Sequence, residues 1–145
     1  MGKRLIIKGA DFSANRIDFG PVPQEVEWSI GTISSTGVIG AENTGIHSNL
    51  LELREVIISI AATILDSSAF DSQYGIVSAI ALYDSTGTFI TRVVGLTSLT
   101  TSTVTASKLN YPNATKARFV IGGYRGDVTN VDIALSKVDY TLEGI

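Results

Sequence analysis

The chain has 145 residues, of which 11 are basic, 14 are acidic, one is histidine and none is cysteine. The lack of cysteine excludes thiolate metal sites, redox dithiols and cysteine nucleophiles, and a single histidine excludes a two-histidine metal site within one chain. The length predicts one domain over residues 1–145 that needs neither a disulfide nor a metal to fold.

Residue usage predicts an all-β domain. The chain contains 17 Ile, 12 Val, 15 Ser, 15 Thr and 14 Gly against 11 Leu, and β-branched residues favour strands. Only 17% of the residues are charged, and the mean hydropathy is +0.27. Either Ser, Thr, Asn and Gly make up much of the surface, or part of the surface faces another protein chain. The net charge of −3 and the scattered basic residues argue against a nucleic-acid partner.

The first 15 residues are predicted to form a strand followed by a turn-rich segment. Lys3–Lys8 predicts a first strand, and the turn-rich segment that follows contains Phe12, which is expected to pack inward. The apolar run Leu5–Ile7 is too short for a signal-peptide core or a membrane helix, so neither is expected. Residues 1–15 are a candidate anchoring arm that adds a strand to the sheet edge of a partner.

Most of the remaining chain predicts short strands separated by turns. Turns are expected at Asp84–Gly87 and Tyr111–Ala114, where Asp, Gly and Pro favour them. A hairpin or short strand is expected around Val38 and Ile39, and one short strand containing Val104 is expected within a long loop. The longer predicted strands are Glu25–Ile33, Glu55–Leu65, Ile76–Tyr83, Thr88–Val94, Ala117–Gly122, Val131–Leu135 and Val138–Leu142.

Two of these strands carry further information. The segment Val56–Leu65 also permits a helix, but its β-branched run loses rotamer freedom in a helix and favours a strand. The small residues Ala79 and Ala81 indicate that a second layer packs closely against the strand that contains them. About nine or ten short strands, with turns roughly every eight to twelve residues and no convincing helix, predict a jelly-roll-like two-sheet antiparallel sandwich.

The sequence predicts no catalytic site. No Gly-x-Ser-x-Gly nucleophile motif occurs, and His47 lies in a predicted turn, where a surface or partly packed side chain is expected. Asp66, Asp71 and Asp84 also lie in predicted turns, where Asp side chains usually bond to the backbone rather than act as paired catalytic acids. We therefore predict no enzyme activity and no cofactor, with a calcium ion at Asp66 and Asp71 as the weaker alternative.

Two tyrosines are candidates for contact with a glycan or a protein partner. Tyr124 lies next to Arg125 and Asp127, so this loop combines a rigid amphipathic ring with ionic hydrogen-bonding groups, and Tyr74 offers a second ring. For Tyr124, binding contact and ordinary loop packing stay open as alternatives. Trp28 lies in an alternating apolar pattern and is expected to belong to the core.

Four groups of residues in the sequence carry a resemblance to known proteins. They are Leu5–Asn15, Trp28 with Gly31-x-Ile33 and Thr36-Gly37, Ile80-x-Leu82-Tyr83-Asp84-Ser85 with Phe89-Ile90, and Tyr111-Pro112-x-Ala114 with Ala117-Arg118-Phe119. Together these segments resemble β-sandwich modules of Bacteroides phage and crAss-like phage virion proteins. The resemblance implies a virion structural protein, similar to head-fibre, decoration and tail-fibre proteins, and transfers no catalytic residue. Such modules also look like carbohydrate-binding domains.

Two functions are therefore expected as alternatives. The first is a non-enzymatic bacteriophage virion structural protein, either a head fibre or capsid decoration or a small fibre module, located in the virion. It would assemble with copies of itself, with a trimer as the first expectation, and with capsid, neck or tail proteins. A bacterial surface glycan is an additional expected partner, whereas nucleic acid and membranes are not. The second function is a stand-alone carbohydrate-binding, lectin-like module.

Overall fold

The computed structural model describes the backbone of residues 6–8 and all of residues 24–145. Within this part of the chain, a 3-10 turn covers Ser67–Ala69 and a short helix, α1, covers Val131–Leu135. The strands are β1 Ile6–Lys8, β2 Trp28–Ile30, β3 Gly45–Ser48, β4 Leu51–Glu52, β5 Ile57–Ile64, β6 Val77–Tyr83, β7 Phe89–Val94, β8 Leu96–Thr97, β9 Thr101–Ser107, β10 Lys116–Gly122 and β11 Val138–Glu143.

The strands form two antiparallel sheets. Sheet A has the order β1-β11-β5-β9-β8, and sheet B has the order β2-β3-β10-β6-β7, with β4 also paired to β10. The chain crosses between the sheets after β1, β4, β5, β7, β9 and β10. The predicted two-sheet antiparallel sandwich is therefore confirmed, whereas the narrower jelly-roll assignment stays a prediction.

The main core lies between the two sheets. Successive side chains of a strand point to opposite faces, so alternate residues of β5, β6, β10 and β11 enter this core. Burying each large aliphatic side chain there contributes roughly 1.5–3 kcal/mol before the entropy of ordering is subtracted. The largest fully buried residues include Ile58, Ile60, Phe70, Ile76, Ile80, Leu82, Phe119, Ile121 and Leu142.

A second, smaller core lies on the other face of sheet B. The loop 31–44 folds over this face, and Ile33 packs against a cluster that includes Ala79 and Ala81. The Arg92 side chain holds the loop by donating a hydrogen bond of 3.0 Å from Nη1 to the Ile33 carbonyl oxygen. The close second layer predicted from the two alanines is thus confirmed.

Trp28 links β2, an edge strand of sheet B, to sheet A. Its indole Nε1 donates a hydrogen bond of 2.9 Å to the hydroxyl of Tyr140 on β11, and the two rings meet edge to face at 5.2 Å. The Trp28 side chain is half-buried against the main core. The expectation that Trp28 packs with the core is confirmed.

Both predicted turns are present. Asp84 accepts hydrogen bonds from the backbone N–H groups of Thr86 and Thr88, and Gly87 takes the left-handed conformation that the turn requires, with φ of +82°. The second turn closes with a hydrogen bond of 2.9 Å from the Ala114 N–H to the Tyr111 carbonyl oxygen.

Two element predictions need correction. The strand predicted at Val131–Leu135 is wrong, because these residues form α1. The Asn130 side chain accepts a hydrogen bond from the Ile133 N–H and caps the first turn of this helix. The short strand predicted around Val104 is a seven-residue strand, β9, whose even-numbered residues are buried.

Some predictions fall outside the described residues, namely the packing of Phe12 and most of the candidate arm 1–15. The backbone of Ile6–Lys8 pairs with β11 at the edge of sheet A, so this part of the arm belongs to the chain's own sheet. In the part of the chain that the structure describes, no helix is both long and apolar enough to span a membrane.

Candidate functional site

Loops from both sheets meet at one end of the sandwich, which we call the loop end. It comprises residues 65–76, 123–130 and the turn 98–100 between β8 and β9. The Asp71 N–H donates a hydrogen bond of 2.8 Å to the Gly123 carbonyl oxygen and so ties the first two loops together. The structure therefore brings together the loops that carry all four predicted contact residues.

Tyr74 is the open aromatic residue of the loop end. Its side chain is 67% exposed. The Asp71 carboxylate holds the backbone beneath it by accepting hydrogen bonds from the N–H groups of Gln73 and Tyr74 at 2.8 and 2.9 Å. A Cβ at Gly75 would lie 2.6 Å from the Leu99 carbonyl oxygen, so the Tyr74 loop packs directly on the β8–β9 turn.

Tyr124 is buried, so its ring does not lie open at the surface. Only 7% of Tyr124 is exposed, and its ring stacks on Phe70 with centroids 4.5 Å apart. Its hydroxyl donates a hydrogen bond of 2.8 Å to the Ala134 carbonyl oxygen. Burial raises the pKa of the Tyr124 hydroxyl far above its usual value near 10. The loop-packing alternative therefore describes this residue.

Arg125 and Asp127 remain exposed beside the buried tyrosine. Arg125 is tied to the neighbouring loop, because its Nε donates a hydrogen bond of 3.3 Å to the Phe70 carbonyl oxygen. Both residues, together with Lys137, line a small cavity of about 170 Å³ between the loop and α1. This volume and the mixed charges suit a small polar group rather than an extended ligand.

The acidic residues of the loop end bond to their own loops. The hydroxyl of Ser68 is the main cause that lowers the pKa of Asp66, aided by the Lys137 ammonium 3.2 Å away. The Tyr74 N–H is the main cause that lowers the pKa of Asp71. Among the described residues, no three His, Asp or Glu side chains are grouped so that they would hold a metal ion.

Acid is expected to weaken the fold through Asp66, Asp71 and Asp84. Hydrogen bonds lower the pKa of each carboxyl in the folded state, with the Thr86 hydroxyl as the main cause at Asp84. A group with a lowered folded-state pKa stabilises the fold above its unfolded pKa near 4, and this contribution is lost as the pH falls. The urea midpoint should therefore drop between about pH 5 and pH 2.5. Asp84→Asn should reduce the drop, and an unchanged midpoint in the wild type would contradict this account.

His47 is a structural residue. It lies in β3 rather than in a turn, is buried, and places Nδ1 2.8 Å from the Gly31 carbonyl oxygen. The sequence predicted a surface or partly packed side chain in a turn, whereas the structure places His47 in a strand with its side chain buried.

A larger cavity, which we call the outer cleft, lies between the loop 31–44 and the outer face of sheet B. Its volume is about 400 Å³. Arg92 forms part of its wall, and the Arg92 Nε is buried without a hydrogen-bond partner. Sequence analysis missed this site because its walls come from segments far apart in the chain. The lining residues are Thr32, Ile33, Ser34, Ser35, Ala41, Glu42, Thr44, Val77, Ala79, Arg92, Val94, Val120, Gly122 and Gly123.

The outer surface of sheet A from β5 to β8 carries no charge, and we call it the neutral face. Residues 56–65 and 93–107 contain no Asp, Glu, Lys or Arg. Leu96 on the edge strand β8 is 89% exposed. The neighbouring strand β11 carries carboxylates at Asp139 and Glu143. The outward residues of the neutral face are Ile57, Ser59, Ala61, Thr63, Leu96, Thr101, Thr103 and Thr105.

No protein-family model matches the chain, and no curated protein matches its sequence. The loop end, the outer cleft and the neutral face are therefore the features of the molecule from which a function can be inferred.

Proposed function

We propose that the chain is a non-enzymatic structural subunit of a bacteriophage virion, and that it acts by assembling with copies of itself. The neutral face carries this proposal. The resemblance of the sequence to phage fibre and decoration modules supports the virion location. The repeated crossing of the chain between the two sheets supports the jelly-roll component of the same proposal.

The neutral face lacks the features that keep a solvent-facing sheet monomeric. Exposed edge strands are usually protected by lysine, proline or inward-pointing charges, because free backbone groups pair with other strands. The edge strand β8 and the hairpin that joins it to β9 contain none of these residues. Across the sheet, the row Thr141, Ala61, Thr103 and Leu96 presents only methyl and hydroxyl groups. Such a surface is complementary to itself and needs no charged partner.

The available area indicates what the interface must include. With strands about 4.8 Å apart and about 3.3 Å per residue, the eight, seven and two residues of β5, β9 and β8 cover roughly 270 Å² in projection. A stable interface buries about 800 Å² on each partner. The adjoining exposed apolar residues of the loop end, which include Tyr74 and Leu99, must therefore contribute as well.

Assembly should depend on Leu96. Burying a leucine contributes roughly 1.5–3 kcal/mol, and a buried unpaired carboxylate opposes association, so Leu96→Asp should weaken self-association at least about tenfold. Size-exclusion chromatography with light scattering should show a closed oligomer for the wild type, with a trimer as the first expectation, and smaller species for the variant. Leu109→Asp is the matched control, since Leu109 is 81% exposed but lies outside the neutral face. A monomeric wild type would overturn the assembly function.

The virion location has a separate test. Mass spectrometry of purified particles should detect the chain in fixed proportion to a capsid, neck or tail protein, and cross-linking should join it to that protein. Detection in infected-cell lysate without detection in particles would contradict a structural role.

A stand-alone carbohydrate-binding module is the second candidate. The exposed Tyr74 ring and the outer cleft favour it, because glycan sites combine an apolar surface with a few placed polar groups. A monomeric protein that binds glycan would favour this alternative over assembly.

A further inference from the structure

We propose that the outer cleft binds a carboxylate-bearing sugar, such as a hexuronic acid, and that Arg92 holds the carboxylate. This inference goes beyond the assembly function, because the cleft lies on sheet B and the neutral face lies on sheet A. It gives a site and a ligand class to the carbohydrate-binding alternative.

The state of Arg92 points to an anion. A guanidinium stays protonated in proteins and offers five N–H donors. The structure shows an acceptor for Nη1, the Ile33 carbonyl oxygen, while Nε is buried without a partner. In the described part of the chain, no carboxylate forms an ion pair with Arg92. A half-buried cation without a counterion is costly, and a ligand carboxylate would supply both the missing charge and a bidentate acceptor.

The rest of the cleft matches a sugar ring. The side chains of Val77, Val94 and Val120 provide an apolar floor for the C–H face of a sugar. Ser35 and Thr44 also line the cleft, and their hydroxyls would offer donors and acceptors to sugar hydroxyls. A volume of about 400 Å³ lies within the usual range of ligand sites, roughly 300–1,000 Å³, and accommodates a ligand of monosaccharide to disaccharide size.

Two features separate a sugar acid from related ligands. Glu42 lines the same cleft, and its negative charge would repel a phosphate dianion more strongly than a singly charged carboxylate. No aromatic ring is present among the described lining residues, and a neutral sugar would therefore lack the stacking surface that usually supports its binding.

The test measures ligand binding to the 145-residue chain by methyl NMR and calorimetry. Galacturonate should shift the methyl signals of Val77, Val94 and Val120, whereas galactose, acetate and phosphate should bind at least tenfold more weakly. Arg92→Gln keeps a donor for the Ile33 carbonyl but removes the charge, and should weaken galacturonate binding at least tenfold. Arg118→Gln is the matched control. Arg118 also donates from Nη1 to a backbone carbonyl and has a buried, unpartnered Nε, but it is not among the described residues of the cleft wall.

A second variant keeps the test decisive if Arg92→Gln does not fold. Val94 is exposed on an edge strand, so Val94→Phe should be tolerated, should fill the cleft and should abolish binding. Leu96→Asp should bind galacturonate as the wild type does, which separates this site from assembly. The inference is overturned if galacturonate shifts none of the three valines, if galactose, acetate or phosphate binds equally well, or if the Arg92 and Arg118 variants bind alike.

Discussion

Gly123→Ala is expected to lower the free energy of unfolding by about 2–5 kcal/mol. Gly123 has φ of +87°, and a left-handed conformation costs an L-residue roughly 1–2 kcal/mol. An alanine Cβ would also overlap the Gly75 carbonyl oxygen, which belongs to the loop that carries Tyr74. Forcing an extra methyl group into such a contact adds about 1–3 kcal/mol. The two loops would have to separate to accept it.

Gly126→Ala is the matched control in the same loop. Gly126 has φ of +77°, but a Cβ there meets no atom within 4 Å, so the expected loss is only the conformational part, about 1–2 kcal/mol. Urea unfolding of both variants would measure the difference. Equal losses of unfolding free energy would show that the contact between the new Cβ at position 123 and the Gly75 loop does not destabilise the protein.

Phe70→Ala is expected to lower the free energy of unfolding by about 3–5 kcal/mol, the usual cost of removing a fully buried aromatic ring. Phe70 is completely inaccessible to solvent and stacks on Tyr124. Its loss would leave a cavity beneath the loop end and would remove the support of the Tyr124 ring. Thermal and urea unfolding measure this effect.

Tyr124→Phe gives the comparison for that prediction. It keeps the stacked ring and removes only the hydroxyl that bonds to the Ala134 carbonyl, so a loss of about 1–3 kcal/mol is expected. If Tyr124→Phe were as destabilising as Phe70→Ala, the hydrogen bond rather than the ring packing would hold the loop. Tyr74→Ala, at an exposed position, should stay within about 0.5 kcal/mol of the wild type.

Substitutions at Phe70 and Tyr124 are expected to destabilise the protein, whereas Tyr74→Ala is not. A loss of binding therefore has a different meaning at the buried and at the exposed tyrosine. A Tyr124→Ala variant that fails to bind glycan would report a damaged core, because the ring lies inside the protein. A Tyr74→Ala variant that fails to bind, with unchanged stability, would instead report a lost contact.

Local patterns predicted most of the strands. The nearly continuous apolar run Ile76–Tyr83 anticipated β6, Val77–Tyr83, to within one residue, because both faces of that strand are buried. The β-branched run in Glu55–Leu65 anticipated β5, Ile57–Ile64, in the same way. In both segments, the strand preference of the residues and their burial in the sandwich favour the same extended conformation.

The features that sequence analysis missed depend on capping or on distant contacts. Val131–Leu135 has strand-like residues, but the Asn130 side chain caps a helical turn there. The burial of Tyr124 depends on Phe70, which lies in a different loop. The outer cleft depends on a loop that folds over sheet B, and no local pattern in Arg92 or Val94 indicates that contact.

The contact between Trp28 and Tyr140 gives the protein an internal optical reporter. Trp28 is the single tryptophan of the chain, and it bridges an edge strand of sheet B to β11 of sheet A. The fluorescence of this indole therefore responds to separation of the sheets along one edge. Comparing it with circular dichroism, which averages over all strands, would show whether that edge opens before the rest of the sandwich or together with it.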